Sequence, residues 1–238
     1  MSFCYFVLFS HPQDPTLRLA PAQAAALRSC LATLPGLRKA HFYTPAEARD
    51  RFTDDGAPPV FGLQLYFDTL QALESAVCSG GAFHSLVQQG GLSSLDAAKA
   101  EQQAMLLRPY DVPEPKPASA TATSFLVWYP GPADDLQAWL GAYLRGHAPL
   151  LRQFPGLREL EILSRVDWID QLPWPRVQHM QRNRVMFDSP EALTEALFSP
   201  VREALRDDSA TAPRYSGGNR HYPMLTEVVA GPASASAR

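Results

Sequence analysis

Of the side chains in this 238-residue sequence, His147 is the one best placed to move a proton. It follows Leu136, Leu140 and Tyr143 and precedes Leu150 and Leu151 at helical spacings, so a helix here carries an imidazole and a phenol on an otherwise apolar stripe. An imidazole held between helix and sheet titrates near working pH and can exchange a proton with a ligand in that space. The competing reading is a local hydrogen bond to a helix-end carbonyl. Tyr143, one turn earlier, is either a hydrogen-bond partner or a core filler.

All four tryptophans, Trp128, Trp139, Trp168 and Trp174, fall in the second half of the chain. Trp128 on a strand, with Trp168 and Trp174 in the loop 166–176 acting as a lid, would wall a pocket for an apolar or ring-shaped ligand; the competing reading is core plus loop anchoring, which is the reading for Trp139. Arg182-Asn183-Arg184 opens a predicted strand whose alternation puts the two arginines on one face and Asn183 with Val185 on the other. Facing an enclosed space, Arg184 would suit a carboxylate or enolate; a solvated strand end is the simpler alternative. The candidate site is therefore His147 as acid or base, with Trp128, Tyr143, Trp168, Trp174 and Arg184 as ligand contacts. Nothing in it calls for a metal or a cofactor.

These residues sit on a chain that repeats itself. Pro155-Gly156-Leu157-Arg158 echoes Pro35-Gly36-Leu37-Arg38 at an offset of 120, and the same offset matches Phe187-Asp188 to Phe67-Asp68, Ala192-Leu193 to Ala72-Leu73 and Val127 to Val7. Four coincidences at equivalent places indicate an internal repeat. The first copy has Leu27 where the second has His147.

Periodicity predicts strands at 3–9, 37–43, 60–67 and 103–108 with helices at 21–34 and 70–77, and a polar loop at 44–59. It then predicts strands at 125–129, 157–163, 184–187 and 222–229 with helices at 133–154 and 190–205. This is β-α-β-β-α-β twice, an α+β class, as modules 1–110 and 124–230 joined by a Pro/Ala/Thr linker at 111–123 and followed by a disordered tail at 231–238. Right-handed crossovers put both helices of a module on one sheet face, and two copies can cover each other's remaining face.

A formal net charge of −3 leaves no cationic surplus for nucleic acid. The apolar start of the chain is too short to span a membrane and reads as a strand. Cys4, Cys30 and Cys78 are odd in number and lack zinc spacing, which suggests free thiols in a reducing cytoplasm. No nucleophile elbow, phosphate loop, dinucleotide fingerprint or His-Glu-x-x-His is present, and Asp207-Asp208 at a helix end is a weak metal signal.

The second half resembles the EthD family, within the dimeric α/β-barrel group of ferredoxin-like folds. The resemblance is carried by His147-Ala-Pro-Leu-Leu-Arg-Gln-Phe-Pro-Gly-Leu-Arg158, Phe187-Asp188-Ser189-Pro190-Glu191-Ala192-Leu193 and Leu205-Arg206-Asp207-Asp208. It implies two ferredoxin-like modules closing into an intramolecular dimeric α/β barrel, and a link to ether and aromatic catabolism, mainly as a small accessory protein. Related barrels include cofactor-independent monooxygenases, lactone isomerases, cyclases and haem proteins. The expected partners are a small apolar or aromatic ligand and, at most, further copies of the chain. The alternative is a non-catalytic binding or assembly protein with no ligand pocket.

Overall fold

Strand formation begins where the chain is apolar on both faces. β1 (Ser2–Ser10) points Tyr5, Val7 and Phe9 one way and Cys4, Phe6 and Leu8 the other, and all six are buried, as a strand packed on both sides requires. In the computed structural model, which describes residues 2–113, 115 and 121–232, the first half continues through α1 (Pro21–Thr33), β2 (Leu37–Pro45), β3 (Phe61–Phe67), α2 (Leu70–Val77), α3 (Ala82–Gln88) and β4 (Lys99–Tyr110). The second half runs β5 (Thr121–Tyr129), α4 (Leu136–Ala142), a π-helical turn (Tyr143–His147), α5 (Ala148–Leu151), β6 (Glu159–Arg165), β7 (Gln181–Phe187), α6 (Pro190–Leu197), α7 (Pro200–Ala210) and β8 (Arg220–Ala230).

Equivalent positions use equivalent chemistry. Thr69 Oγ1 accepts from the Ala72 amide at 3.1 Å and Ser189 Oγ from the Ala192 amide at 3.2 Å, capping α2 and α6. Gly36 and Gly156 in the two Pro-Gly turns have φ of 77° and 72°, which an L side chain rarely adopts.

All eight strands pair antiparallel in one closed barrel, in the order β1-β3-β2-β8-β5-β7-β6-β4. The first half supplies β4-β1-β3-β2 and the second β8-β5-β7-β6, with seams at β2/β8 and β4/β6. Registers recur at the offset of 120: Tyr5 and Ala40 both pair with Leu65, as Phe125 and Leu160 both pair with Val185. Closure uses up both sheet edges, so none of the described strands offers a free edge to another chain. None of the described helices is long and apolar enough to cross a membrane.

Some expected boundaries move. The helix expected at 190–205 is two, because Pro200 cannot donate to the preceding turn and Ser199 is extended at ψ 161°. The helix expected at 133–154 starts only at Leu136, capped by Asp135, and loosens into the π turn. β5 begins at Thr121, inside the stretch read as linker. Residues 114 and 116–120 of that stretch, and 233–238 of the expected tail, lie outside the described residues.

Two apolar layers sit between helices and barrel, one per half, and a third fills the barrel with Phe6, Leu8, Tyr43, Met105, Leu126, Trp128 and Leu163 among others. A polar knot crosses that third layer. Arg184 is fully buried and bonds Glu159 and, at 2.8 Å, Glu161. Glu161 also accepts from Tyr66 at 2.9 Å and Gln64 at 3.2 Å, and Nδ1 of His41 lies 3.1 and 3.2 Å from the Tyr66 and Tyr43 hydroxyls. Arg184 holds the Glu161 carboxylate below its usual range against the opposing effect of burial, which is the larger single influence.

Candidate functional site

The second half keeps a cleft of about 190 Å³ between its helices and the outer face of its sheet. Phe125, Val127 and Tyr129 of β5 and Asn183 and Val185 of β7 form its floor; His147 and Leu151, with Leu205, Arg206 and Ser209 of α7, form its walls. Phe52 and Thr53 close one side, and they belong to the first half.

That crossing is built from ion pairs. The β2–β3 loop reaches over the second half and places Asp50 against Arg202, which donates from Nε at 3.1 Å and Nη2 at 2.7 Å, with both side chains largely buried. Arg51 donates to Glu203 at 2.5 Å, and Asp55 lies 2.9 Å from His221 Nδ1. The hydrogen bond from His221 is the main cause of a lowered Asp55 pKa. Around Phe52 gather the guanidinium groups of Arg51, Arg202 and Arg206, at 5.7, 5.4 and 4.8 Å from the ring centre.

His147 ends the π turn, a departure from α-helix that is frequent at functional sites. Its Nδ1 lies 2.8 Å from Asp208 Oδ2 on α7. Gly146 makes this approach available: a Cβ there would sit 2.7 Å from Asp208 Oδ1. Burial lowers the His147 pKa, and Asp208 only partly offsets it, so the imidazole is neutral at pH 7. A carboxylate at Nδ1 fixes the proton there and leaves the Nε2 lone pair without a hydrogen bond among the described residues, on a ring that lines both the cleft and a smaller cavity beside it. Tyr143 meets the His147 ring at a tilt, 4.7 Å between centroids, and its hydroxyl accepts from Asn183 Nδ2. It faces a small neighbouring cavity that His147 and Asp208 also line.

The expected site residues separate into three places. His147 lines the cleft, and Tyr143, in contact with it, lines the smaller cavity next door. Trp128 and Arg184 point into the barrel, on the opposite face of β5 and β7, because strand alternation sends them away from Val127 and Val185. Arg184 is not a solvated strand end: it is fully buried, away from the cleft, and each of its guanidinium nitrogens is engaged by Glu159, Glu161 or Ser124. Trp168 and Trp174 do form a cover, over the other half. Trp168 meets Tyr5 edge-on at 5.7 Å and Trp174 meets Phe9 at 5.4 Å, while Gln102 bonds Asp170 at 2.9 Å and the Trp174 carbonyl at 2.7 Å to hold the loop.

Each half thus lends a loop to the other, with unequal results. Over the first half, Trp168, Leu172 and Trp174 join the core that contains the fully buried Leu27, the counterpart of His147. Over the second, Phe52 and Thr53 leave room. Asp208, Asn183, Arg202, His221 and the 46–58 loop were not legible as site residues. Asp208 alone gave a signal, as an acid in the last turn of a helix where the macrodipole disfavours it.

A cleft of about 190 Å³ compares with the engineered cavity of roughly 150 Å³ that takes up benzene. It admits one substituted ring. His147, with Nδ1 on a carboxylate, is a residue of the kind that would hold a haem iron, but a cleft of about 190 Å³ is too small for the four-ring macrocycle.

No protein-family model matches the chain, and no curated protein matches it. Among solved structures it is similar to an anthrone oxidase-like protein over 100% of this chain and 96% of that one, at 13% identity and a TM-score of 0.59. It is also similar to a variant of chlorite dismutase from Candidatus Nitrospira defluvii, over 94% and 90% of the two chains, at 10% identity and a TM-score of 0.52. An EthD family protein of Bacillus halodurans aligns with 43% of this chain over 95% of its own length, at 23% identity and a TM-score of 0.35. The first two likenesses establish the fold alone: a mixed α+β chain built on a closed antiparallel barrel.

Proposed function

We propose that the chain is a tandem, single-chain counterpart of the EthD-like dimeric α/β barrels, with ferredoxin-like modules at 1–110 and 124–230, whose second module binds a single-ring aromatic or lactone-like compound. The first module is its structural partner. The observation that carries this reading is the His147 imidazole, neutral, locked by Asp208 and presenting a free Nε2 beside a cleft of one-ring size. Such a nitrogen accepts a hydrogen bond from a phenolic or enolic O–H and can take its proton: the O–H bond breaks, Nε2–H forms, and the electron pair stays on the ligand oxygen. Asp208 stabilises the imidazolium that results.

Three cysteines without disulfide partners suit a reducing cytoplasm. The alternative, a non-catalytic assembly protein, finds less support, since barrel closure leaves no sheet edge to assemble through.

The test is a thermal-shift screen of phenol, simple lactones and haemin on the wild type and His147→Leu. Ligands that bind the native state raise the melting midpoint by mass action. The reading expects single-ring hydroxyaromatics to raise it in the wild type and to lose most of that effect in the variant. A flat screen, or equal shifts in both proteins, would overturn it; a shift with haemin alone would refute the one-ring size of the cleft.

A further inference from the structure

Three arginines surround Phe52 at the mouth of the cleft, and two are already satisfied. Arg202 is held by Asp50 and Arg51 by Glu203. Arg206, exposed on α7 and part of the cleft wall, has no carboxylate partner among the described residues; its guanidinium rests 4.8 Å from the Phe52 ring centre. The acids nearest the other end are also committed, Asp208 to His147 and Asp55 to His221. The cleft lining therefore combines a hydrogen-bond acceptor on His147, an apolar floor of Phe125, Val127 and Val185, and, on the exposed Arg206, a cation with no carboxylate partner among the described residues.

We infer that the ligand is a hydroxyaromatic carboxylate, with its hydroxyl at His147 Nε2, its ring on the β5–β7 floor and its carboxylate on Arg206. The fork of the guanidinium matches a carboxylate bidentately. Stacking on Phe52 holds that fork at the rim and spares it part of the ordering cost of binding. A neutral phenol meets only two of the three features.

This inference rests on the proposed cleft reading and deepens it. The experiment is calorimetric titration of 4-hydroxyphenylacetate and its methyl ester into the wild type, Arg206→Gln and His147→Leu. Because Arg206 is exposed, the acid is expected to bind the wild type only about three- to fivefold tighter than the ester, with the difference shrinking as salt is added. Arg206→Gln should bring the acid to the ester's affinity and leave the ester unchanged. Equal affinities in the wild type, or a preference that survives in Arg206→Gln, would overturn the carboxylate assignment while ester binding that depends on His147 kept the cleft reading intact. If neither compound binds the wild type, both fall.

Discussion

Gly146 offers the sharpest mechanical test of the His147–Asp208 pair. Alanine is the better helix former by up to about 1 kcal/mol, so Gly146→Ala in an open helix would stabilise the chain. Here the new Cβ lands 2.7 Å from Asp208 Oδ1. The carboxylate sits at the end of a flexible side chain and will swing away, breaking the 2.8 Å bond to His147 Nδ1. A hydrogen bond to a charged group contributes roughly 1.5–3 kcal/mol, so the net effect is a loss of about 0.5–2 kcal/mol. The assay is a double-mutant cycle by urea unfolding with Asp208→Ala. In that background there is no carboxylate to displace, and the same Gly146→Ala change should turn stabilising. A Gly146→Ala effect of the same sign and size in both backgrounds would refute the argument that glycine is there to admit Asp208.

Three further outcomes are expected. His41, His147 and His179 all have pKa values depressed by burial, that of His179 to about 3, so between that value and about 6.5 the unfolded chain binds more protons than the folded one. Stability is fully present above pH 6.5 and falls on acidification; His179 alone should cost about 2 kcal/mol by pH 5, seen as a urea midpoint that drops from pH 7 to 5 and drops less in His179→Phe, and an unchanged midpoint would contradict it. Arg184→Met strands Glu161 in the barrel, while Glu159 keeps Lys39 at 3.5 Å, and should cost about 3–5 kcal/mol, with partial recovery in Arg184→Met/Glu161→Leu; a loss below about 1 kcal/mol would show that the pair is not structural. Trp174→Ala should destabilise the first half by about 2–4 kcal/mol and leave phenol affinity in the second half unchanged; a parallel loss of affinity would place the ligand under that loop instead.

Architecture was legible because it is written in local periodicity. The strands around Phe67 and Phe187, the Pro-Gly turns and the helices behind Asp68 and Asp188 occur at a fixed offset, and a β-strand packed on both faces announces itself as an apolar run. His147 was legible for the same reason, as a polar interruption of a stripe. The wider site was not, because it is assembled across the halves. Asp50 and Arg202 are 152 residues apart and nothing local ties them. Alternation told correctly that Arg182 and Arg184 share a face, but not that the face would be the inside of a closed barrel, where two glutamates wait for one guanidinium. The tryptophans misled in an instructive way: Trp168 and Trp174 do cap a helix–sheet space, and barrel closure hands that cap to the half with no histidine.

The central claim is that His147 presents an unprotonated Nε2 to a ligand O–H, and imidazole ¹⁵N NMR reads that atom directly. The account predicts a neutral ring protonated at Nδ1 at pH 7. Its Nε2 resonance should move toward the hydrogen-bonded value on saturation with phenol and stay put with anisole, which fills the same space but has no proton to offer. A ring protonated at Nε2 in the free protein, or an Nε2 resonance that phenol leaves unmoved or that anisole shifts equally, would contradict it.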